Sequence, residues 1–217
     1  MSPPAAQARE PLRFPGVRAP KPLLPPETEQ RLTARQRELL EELEKLVTTE
    51  GLADLTMAEI AAQVNCSLRT LYGIAPSKEE LVLTVVDRRL HRIGRSAIGS
   101  LDASQSPLTA LRAYLQAAND AVQPESVSFA RELASLPGAQ RLLDGHEDYV
   151  MAVTKSLLDR AVAEGEIAAL DTASLAHVLG GLGREFARPD VAARAAAPPK
   201  AAADAIAEII LRGLEQG

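Results

Sequence analysis

Four helix-start signals crowd the segment between Thr33 and Ser77, and they constrain the fold more than any other feature of this sequence. "TARQ" at 33–36 and "TMAE" at 56–59 each set a threonine three residues before Gln or Glu, the spacing of a capping box. Ser67 is placed to cap a third helix, and "SKEE" at 77–80 opens a fourth. Only "LRTLYGIAP" separates the third start from the fourth, which leaves room for barely two turns. A helix that short has no stability of its own, because nucleation outweighs propagation. The chain must hold it by packing, and its use must lie in what it displays.

The flanking pattern says how it is held. Leu39, Leu40, Leu43, Leu46 and Val47 recur at helical spacing and Gly51 ends that helix. Ile60, Ala61 and Val64 face inward from the next. Asn65 sits in a turn where φ is expected to be positive, which Asn tolerates better than most residues. Cys66 is expected to point into the core as a structural thiol, and Leu71 with Tyr72 to anchor the short helix. Two helices joined by a tight turn, the second short and projecting, make a helix-turn-helix. Ser67, Leu68, Arg69 and Thr70 then lie at the exposed end that a recognition helix turns to base edges in a major groove. Arginine can bond guanine bidentately, and a Thr methyl or Leu can touch a thymine methyl.

The rest of the chain also reads as helix. "SKEE" leads an apolar face of Leu81, Val82, Val85, Val86, Leu90 and Ile93, and Ser106-Pro107 caps a run through Leu111, Tyr114 and Leu115. A segment of about 125–135 stops before "LPG". A long amphipathic helix is predicted over 139–163, a further one from the cap Asp171, and a last one after the prolines at 198–199. Aromatics make up only 3% of the chain and Trp is absent, in keeping with an all-α protein of about nine helices. Residues 1–30 hold eight of the fifteen prolines and read as a flexible, partly extended basic arm carrying Arg9, Arg13, Arg18 and Lys21. Either a solvated tail or an arm reaching nucleic-acid phosphates fits that composition.

The net charge of -5 argues against a protein that binds nucleic acid over its whole surface. Residues 1–37 carry seven Lys/Arg against three acids, a local +4, while residues 38–80 carry three against nine, a local -6. Nucleic acid would therefore be met by a small patch. The single cysteine permits no internal disulfide, no secretory signal is read at the N-terminus, and no apolar run is long enough to span a bilayer. A cytoplasmic location without membrane attachment is expected.

"TMAEIAAQVNCSLRTLYGIAPSKEEL" (56–81) resembles the DNA-binding signature of the tetracycline-repressor (TetR) family of transcriptional regulators. The matches are Thr56, Ile60, Ala61, Ser67, Thr70, Leu71, Tyr72, Ser77, Lys78, Glu79 and Leu81. Three positions depart from the pattern: Asn65 for Gly, Cys66 for Val, and Ala75 for Phe, where Ile74 is expected to fill the space. The resemblance implies that Thr56, Tyr72 and Lys78 contact phosphates. It sets Ser67, Leu68, Arg69, Thr70 and Gly73 along the groove, with Arg35 as a further phosphate candidate. It also implies a division into a DNA-binding domain at 31–79 and a ligand-sensing and dimerisation domain at 80–217. The implied partners are a palindromic DNA operator, a small-molecule effector and a second copy of the chain.

Within the second part, Tyr114, Phe129, His146 and Tyr149 offer polar or aromatic groups on largely apolar faces and are candidate effector contacts. Gly180, Gly181 and Gly183 suggest either close approach of a partner helix or a helix broken beside a pocket. Asp87 and His91, four apart, could share a metal but read better as a surface pair, so no metal site and no cofactor is assigned. No catalytic residues are assigned either: the best titratable set, His146 beside Glu147 and Asp148, lies on different helix faces. The expected function is a sequence-specific DNA-binding transcriptional regulator, a repressor released by a small molecule. The alternative is a helix-turn-helix that contacts only protein.

Overall fold

The structure is a computed structural model and describes residues 12–122 and 127–216 of the 217-residue chain. It contains eleven α-helices and one 3-10 turn, and the described residues include no strand. The helices are α1 (Pro26–Arg31), α2 (Ala34–Thr49), α3 (Met57–Gln63), α4 (Leu68–Tyr72), α5 (Lys78–Gly99) and α6 (Pro107–Ala118). After the 3-10 turn Asn119–Val122 come α7 (Val127–Ser135), α8 (Pro137–Ala163), α9 (Thr172–Ala187), α10 (Pro189–Ala192) and α11 (Pro199–Gln216). The all-α expectation holds. The two helices beyond the expected nine, α1 and α10, are six and four residues long.

The helix starts are where the caps place them. Thr33 and Thr56 each complete a capping box, and the side chains of Ser67 and Ser77 accept from the backbone N–H of Thr70 and Glu80. Each such cap contributes about 1 kcal/mol by satisfying an N–H that the helix leaves open. The long helix opens earlier than expected, at Pro137 rather than 139. Proline at the first helical position lacks an N–H that would be unpaired there anyway, so "LPG" starts a helix as well as ending one.

Two hydrophobic cores form. The first gathers Leu39, Leu40, Leu43 and Val47 of α2, Ile60 and Ala61 of α3, Leu71 of α4, and Leu81, Val82 and Val85 of α5. Leu136 and Ala139 at the start of α8 close it. The second gathers Ala97 of α5, Leu111 and Tyr114 of α6, Val153, Leu157 and Leu158 of α8, Leu179 of α9 and Leu211 of α11. Helix α5 serves both.

Of the proline-rich segment, residues 1–11 and with them Arg9 lie outside the described residues. Residues 12–25 lie against the helices rather than projecting as an arm. Leu12 is buried in the second core, with Phe14 and Val17 packed on it, and Leu24 packs against the first. The Leu23 N–H donates to Asp87 Oδ2 at 2.7 Å. Apolar residues between the prolines supply the contacts that helix or sheet pairing cannot supply here. Arg13, Arg18 and Lys21 stay exposed.

The glycines of α9 have a different explanation from those expected. The helix is unbroken from Thr172 to Ala187, and the close neighbour of Gly180 is α8 of the same chain. A Cβ on Gly180 would stand 2.7 Å from Met151 Cγ and 3.2 Å from its Cα, whereas one on Gly181 would meet only Glu147 Oε1, at 3.4 Å. Gly180→Val is therefore expected to lower stability by about 1–3 kcal/mol through overpacking. Gly181→Ala is expected to be neutral or to stabilise by up to about 1 kcal/mol through helix propensity. Urea unfolding of the two variants, compared with the parent, checks the contrast.

Candidate nucleic-acid interface and adjoining cavity

Helix α4 is five residues long. Leu71 is fully buried beneath it, and Ala75 just beyond it is buried too. Ala75 takes the core position itself, and Ile74 only packs partly against it, so the anchor differs from the expected Ile74. Tyr72 does not anchor the helix as expected: it is 49% exposed, because the turn that buries Leu71 points its neighbour outward. The turn before α4 is as read, with Asn65 at φ 49°. Cys66 is half-buried, its Sγ donates to Ser67 O at 3.5 Å, and burial pushes its thiol pKa up. That is the chemistry of an inert structural thiol.

One exposed surface results. Ser67, Leu68, Arg69, Tyr72 and Gly73 are exposed on or beside α4, and Thr70 is half-exposed. The Ser67 and Thr70 hydroxyls lie 2.7 Å apart, pre-arranged by the cap. Thr56 stands exposed at the start of α3, its hydroxyl donating to Glu59 Oε2 at 2.7 Å. Arg69 makes no ion pair among the described residues and leaves its guanidinium to solvent.

The two other cations of the expected set are engaged. Lys78 Nζ donates to the carbonyls of Ala53 at 2.6 Å and Leu55 at 2.9 Å, tying the start of α5 to the turn before α3. Arg35 donates to Glu38 and Glu42, each at 3.3 Å, and to Asn65 O at 3.5 Å. Hydrogen bonding to Glu38 and the charge of Glu42 raise its pKa.

Beside the first core lies a cavity of about 330 Å³ walled by α5, α6, α7, α8 and α9. Tyr114, Phe129, His146 and Tyr149 all line it, with Leu90, Ile93, Leu133, Leu143 and Val150 supplying apolar surface. Asn119, Glu147 and Arg184 add polar groups. These last had no signal in the sequence, since their convergence depends on how the helices around the cavity pack. Burial drives the Tyr114 hydroxyl pKa far upward and that of Tyr149 upward, so both remain neutral donors. His146 faces Asp87 across the helix interface at 3.2 Å, not Asp148. Asp87 itself is buried, which corrects the expected surface pair with His91. Burial pushes the His91 pKa down against the opposing pull of Asp87.

A small exposed helix, held by a buried leucine and a capped turn, defines the helix-turn-helix class of DNA-binding proteins. Residues 39–85 match the family of bacterial regulatory proteins, tetR family. More than four-fifths of the chain is similar to solved structures of that family. One is a TetR transcription regulator from Haloarcula marismortui, 18% identical, with TM-score 0.67 over 84% of this chain and 99% of that one. Another is the TetR family transcriptional regulator PfmR from Thermus thermophilus, 26% identical, with TM-score 0.57 over 82% and 98%. A third is a TetR-like transcriptional regulator from a Rhodococcus species, 22% identical, with TM-score 0.59 over 86% and 100%. No curated protein matches the chain significantly. Residues 39–85 are thus TetR-like, the chain has the fold of solved TetR transcriptional regulators, and the family and structures matched are regulators, not enzymes. Among the described residues no helix is long and apolar enough to cross a membrane.

The turn offers a direct test of how α4 is aimed. Asn65→Val puts a β-branched residue at positive φ and is expected to cost about 1–2 kcal/mol. Asn65→Gly should be tolerated within a few tenths. Thermal unfolding of both variants measures the difference.

Proposed function

We propose that this protein is a ligand-responsive, dimeric repressor that binds a palindromic DNA site through α4. The observation that carries this reading is the unpaired Arg69 on an exposed α4 whose framework matches the tetR family. Residues 31–79 then act as the DNA-binding domain and residues 80–217 as the sensing and dimerisation domain. Ser67, Leu68, Arg69, Thr70 and Gly73 face the groove, while Thr56 and Tyr72 meet phosphates. Lys78 and Arg35 take the phosphate role only if their present partners release them. In this geometry they act first as struts.

A second copy is supported by the outer face of α9 and α11. Val178, Ile206 and Ile209 are exposed apolar residues there, Ile209 at 67%, and the two helices pack side by side. Burying such a face in a two-fold contact would also set two α4 helices on successive grooves. Ile209→Asp is expected to shift the protein toward monomer in sedimentation velocity.

The effector site is the cavity. Helix α7 lines it through Phe129 and Leu133 and also reaches the DNA-binding domain through Glu132. The buried Glu132 accepts from the Leu52 N–H at 2.6 Å, in the turn between α2 and α3. A molecule that displaced α7 would strain that bond and reposition the helix-turn-helix, and so weaken DNA binding by differential affinity for two states. Glu132→Ala leaves a buried N–H unpaired and is expected to cost about 1–3 kcal/mol of stability. Glu132→Gln, which keeps an acceptor, should cost less.

Selection of bound sequences from a random duplex pool, followed by anisotropy titration of the winner against salt, tests the DNA reading. A palindromic consensus with steep salt dependence is expected. Arg69→Ala should lose about 1–3 kcal/mol of specific binding and relax the preference at one position per half-site. A pool without enrichment, with weak binding even at low salt, would transfer the function to protein contact.

A further inference from the structure

Asp87 and His91 on α5 meet His146 on α8 under the segment 12–25. The Asp87 carboxylate is buried, and its two oxygens are used differently. Oδ2 accepts from the Leu23 N–H at 2.7 Å, which fixes the carboxylate plane. Oδ1 faces both imidazoles, 3.2 Å from His146 Nε2 and 3.5 Å from His91 Nε2. The second approach makes no hydrogen bond, and His91 Nε2 is a buried nitrogen without a hydrogen-bond partner. The two rings stand edge to face, with centroids 4.8 Å apart, so they do not stack away the polar edge. A buried imidazole nitrogen aimed at a carboxylate but short of bonding it is unfavourable as it stands.

A metal ion removes that conflict. Each of the three residues offers a ligand atom, and the three atoms lie within 4.8 Å of one another. Zinc bonds to nitrogen and carboxylate oxygen are about 2.0–2.1 Å long, which sets neighbouring ligand atoms about 3.3 Å apart in a tetrahedron. The observed 3.2 and 3.5 Å separations straddle that value. Two imidazoles and one carboxylate, the last oriented by a backbone N–H, are a donor set for zinc, cobalt, nickel or iron rather than for magnesium or calcium. We propose that Asp87, His91 and His146 form a binding site for one divalent transition-metal ion, with a fourth position open. His146 also lines the 330 Å³ cavity. The ion would join α5 to α8, the two helices that both enter the first core.

The test uses the full chain, free of any tag and stripped of metal with a chelator. Zn²⁺ is titrated against a chromophoric competitor, and Co²⁺ binding is followed by its visible absorption. One ion per chain is expected, with a Co²⁺ band of the intensity that four or five ligands give. His91→Ala and His146→Ala should each weaken Zn²⁺ binding by at least about tenfold. His177→Ala should leave it unchanged, since His177 is the only other histidine and is exposed, and so should Cys66→Ser. Because a core variant can fail to fold, imidazole nitrogen NMR of the unaltered protein gives a second reading. Zn²⁺ should shift two histidines and leave the third. Stoichiometry well below one, binding insensitive to His91→Ala and His146→Ala, or shifts confined to His177 would overturn the site.

Discussion

Everything that α4 displays depends on burying Leu71. Five residues form a single turn and a fraction, too few for backbone hydrogen bonds to repay the order they impose. Stability comes instead from the Leu71 side chain, enclosed by α2, α3 and α5, and from the Ser67 cap that satisfies the Thr70 N–H. Removing a fully buried leucine typically costs 2–5 kcal/mol, more than so short a helix could lose and still form. The same packing decides which side chains face outward. Once Leu71 points in, Tyr72, the next residue round the helix, is turned away from the core, and Leu68 at the first position of α4 is left exposed as well.

The second constraint is that α5 is one rigid element shared by two cores. Its first turns pack with α2, α3 and α4, and its later turns help wall the cavity. Lys78 ties its start to the turn before α3, and Glu132 of α7 holds the same turn at Leu52. Both helices are thus hydrogen-bonded to the turn before α3, while α4 meets α5 through the packing around Leu71. The cavity is lined by residues of both helices.

Local signals were legible in the sequence and convergent ones were not. Thr33, Thr56, Ser67 and Ser77 act on backbone N–H groups within three residues, so their spacing alone places the helix starts. Asn65 is likewise a local requirement on φ. Tyr114, Phe129, His146 and Tyr149 could be picked as cavity residues because each carries a polar or aromatic group on an apolar face. Asp87 and His146 are 59 residues apart, and nothing in either neighbourhood announces their meeting. Gly180 misled for the same reason: three glycines imply a close neighbour, but only the fold says that the neighbour is Met151 of the same chain. Proline density over residues 1–30 agreed with the lack of helix and sheet pairing in 12–25 but missed α1 at Pro26–Arg31, and it carried no information about Leu12, Phe14 and Leu24 finding the cores. Arg35 and Lys78 read as free cations because their acceptors include backbone carbonyls, which no composition count sees.

The local charge of -6 over residues 38–80 is unevenly distributed. Glu38 and Glu42 are held by Arg35, and Glu44 pairs with Arg92 of α5. Glu59 turns back to its own N-terminus in the capping box, where hydrogen bonds from the Thr56 backbone and side chain lower its pKa. Glu79 and Glu80 occupy the first turn of α5, where the helix dipole favours anions. No acid lies between Cys66 and Ala75. The only formal charge on α4 is the positive charge of Arg69, and six of the nine acids in the window are held by cations, caps or a helix start. Electrostatic repulsion of a phosphate backbone falls with such pairing and with screening over about 8–10 Å at physiological salt. The charge that matters for a major groove is thus the charge within reach of α4, and there the balance is +1 rather than -6.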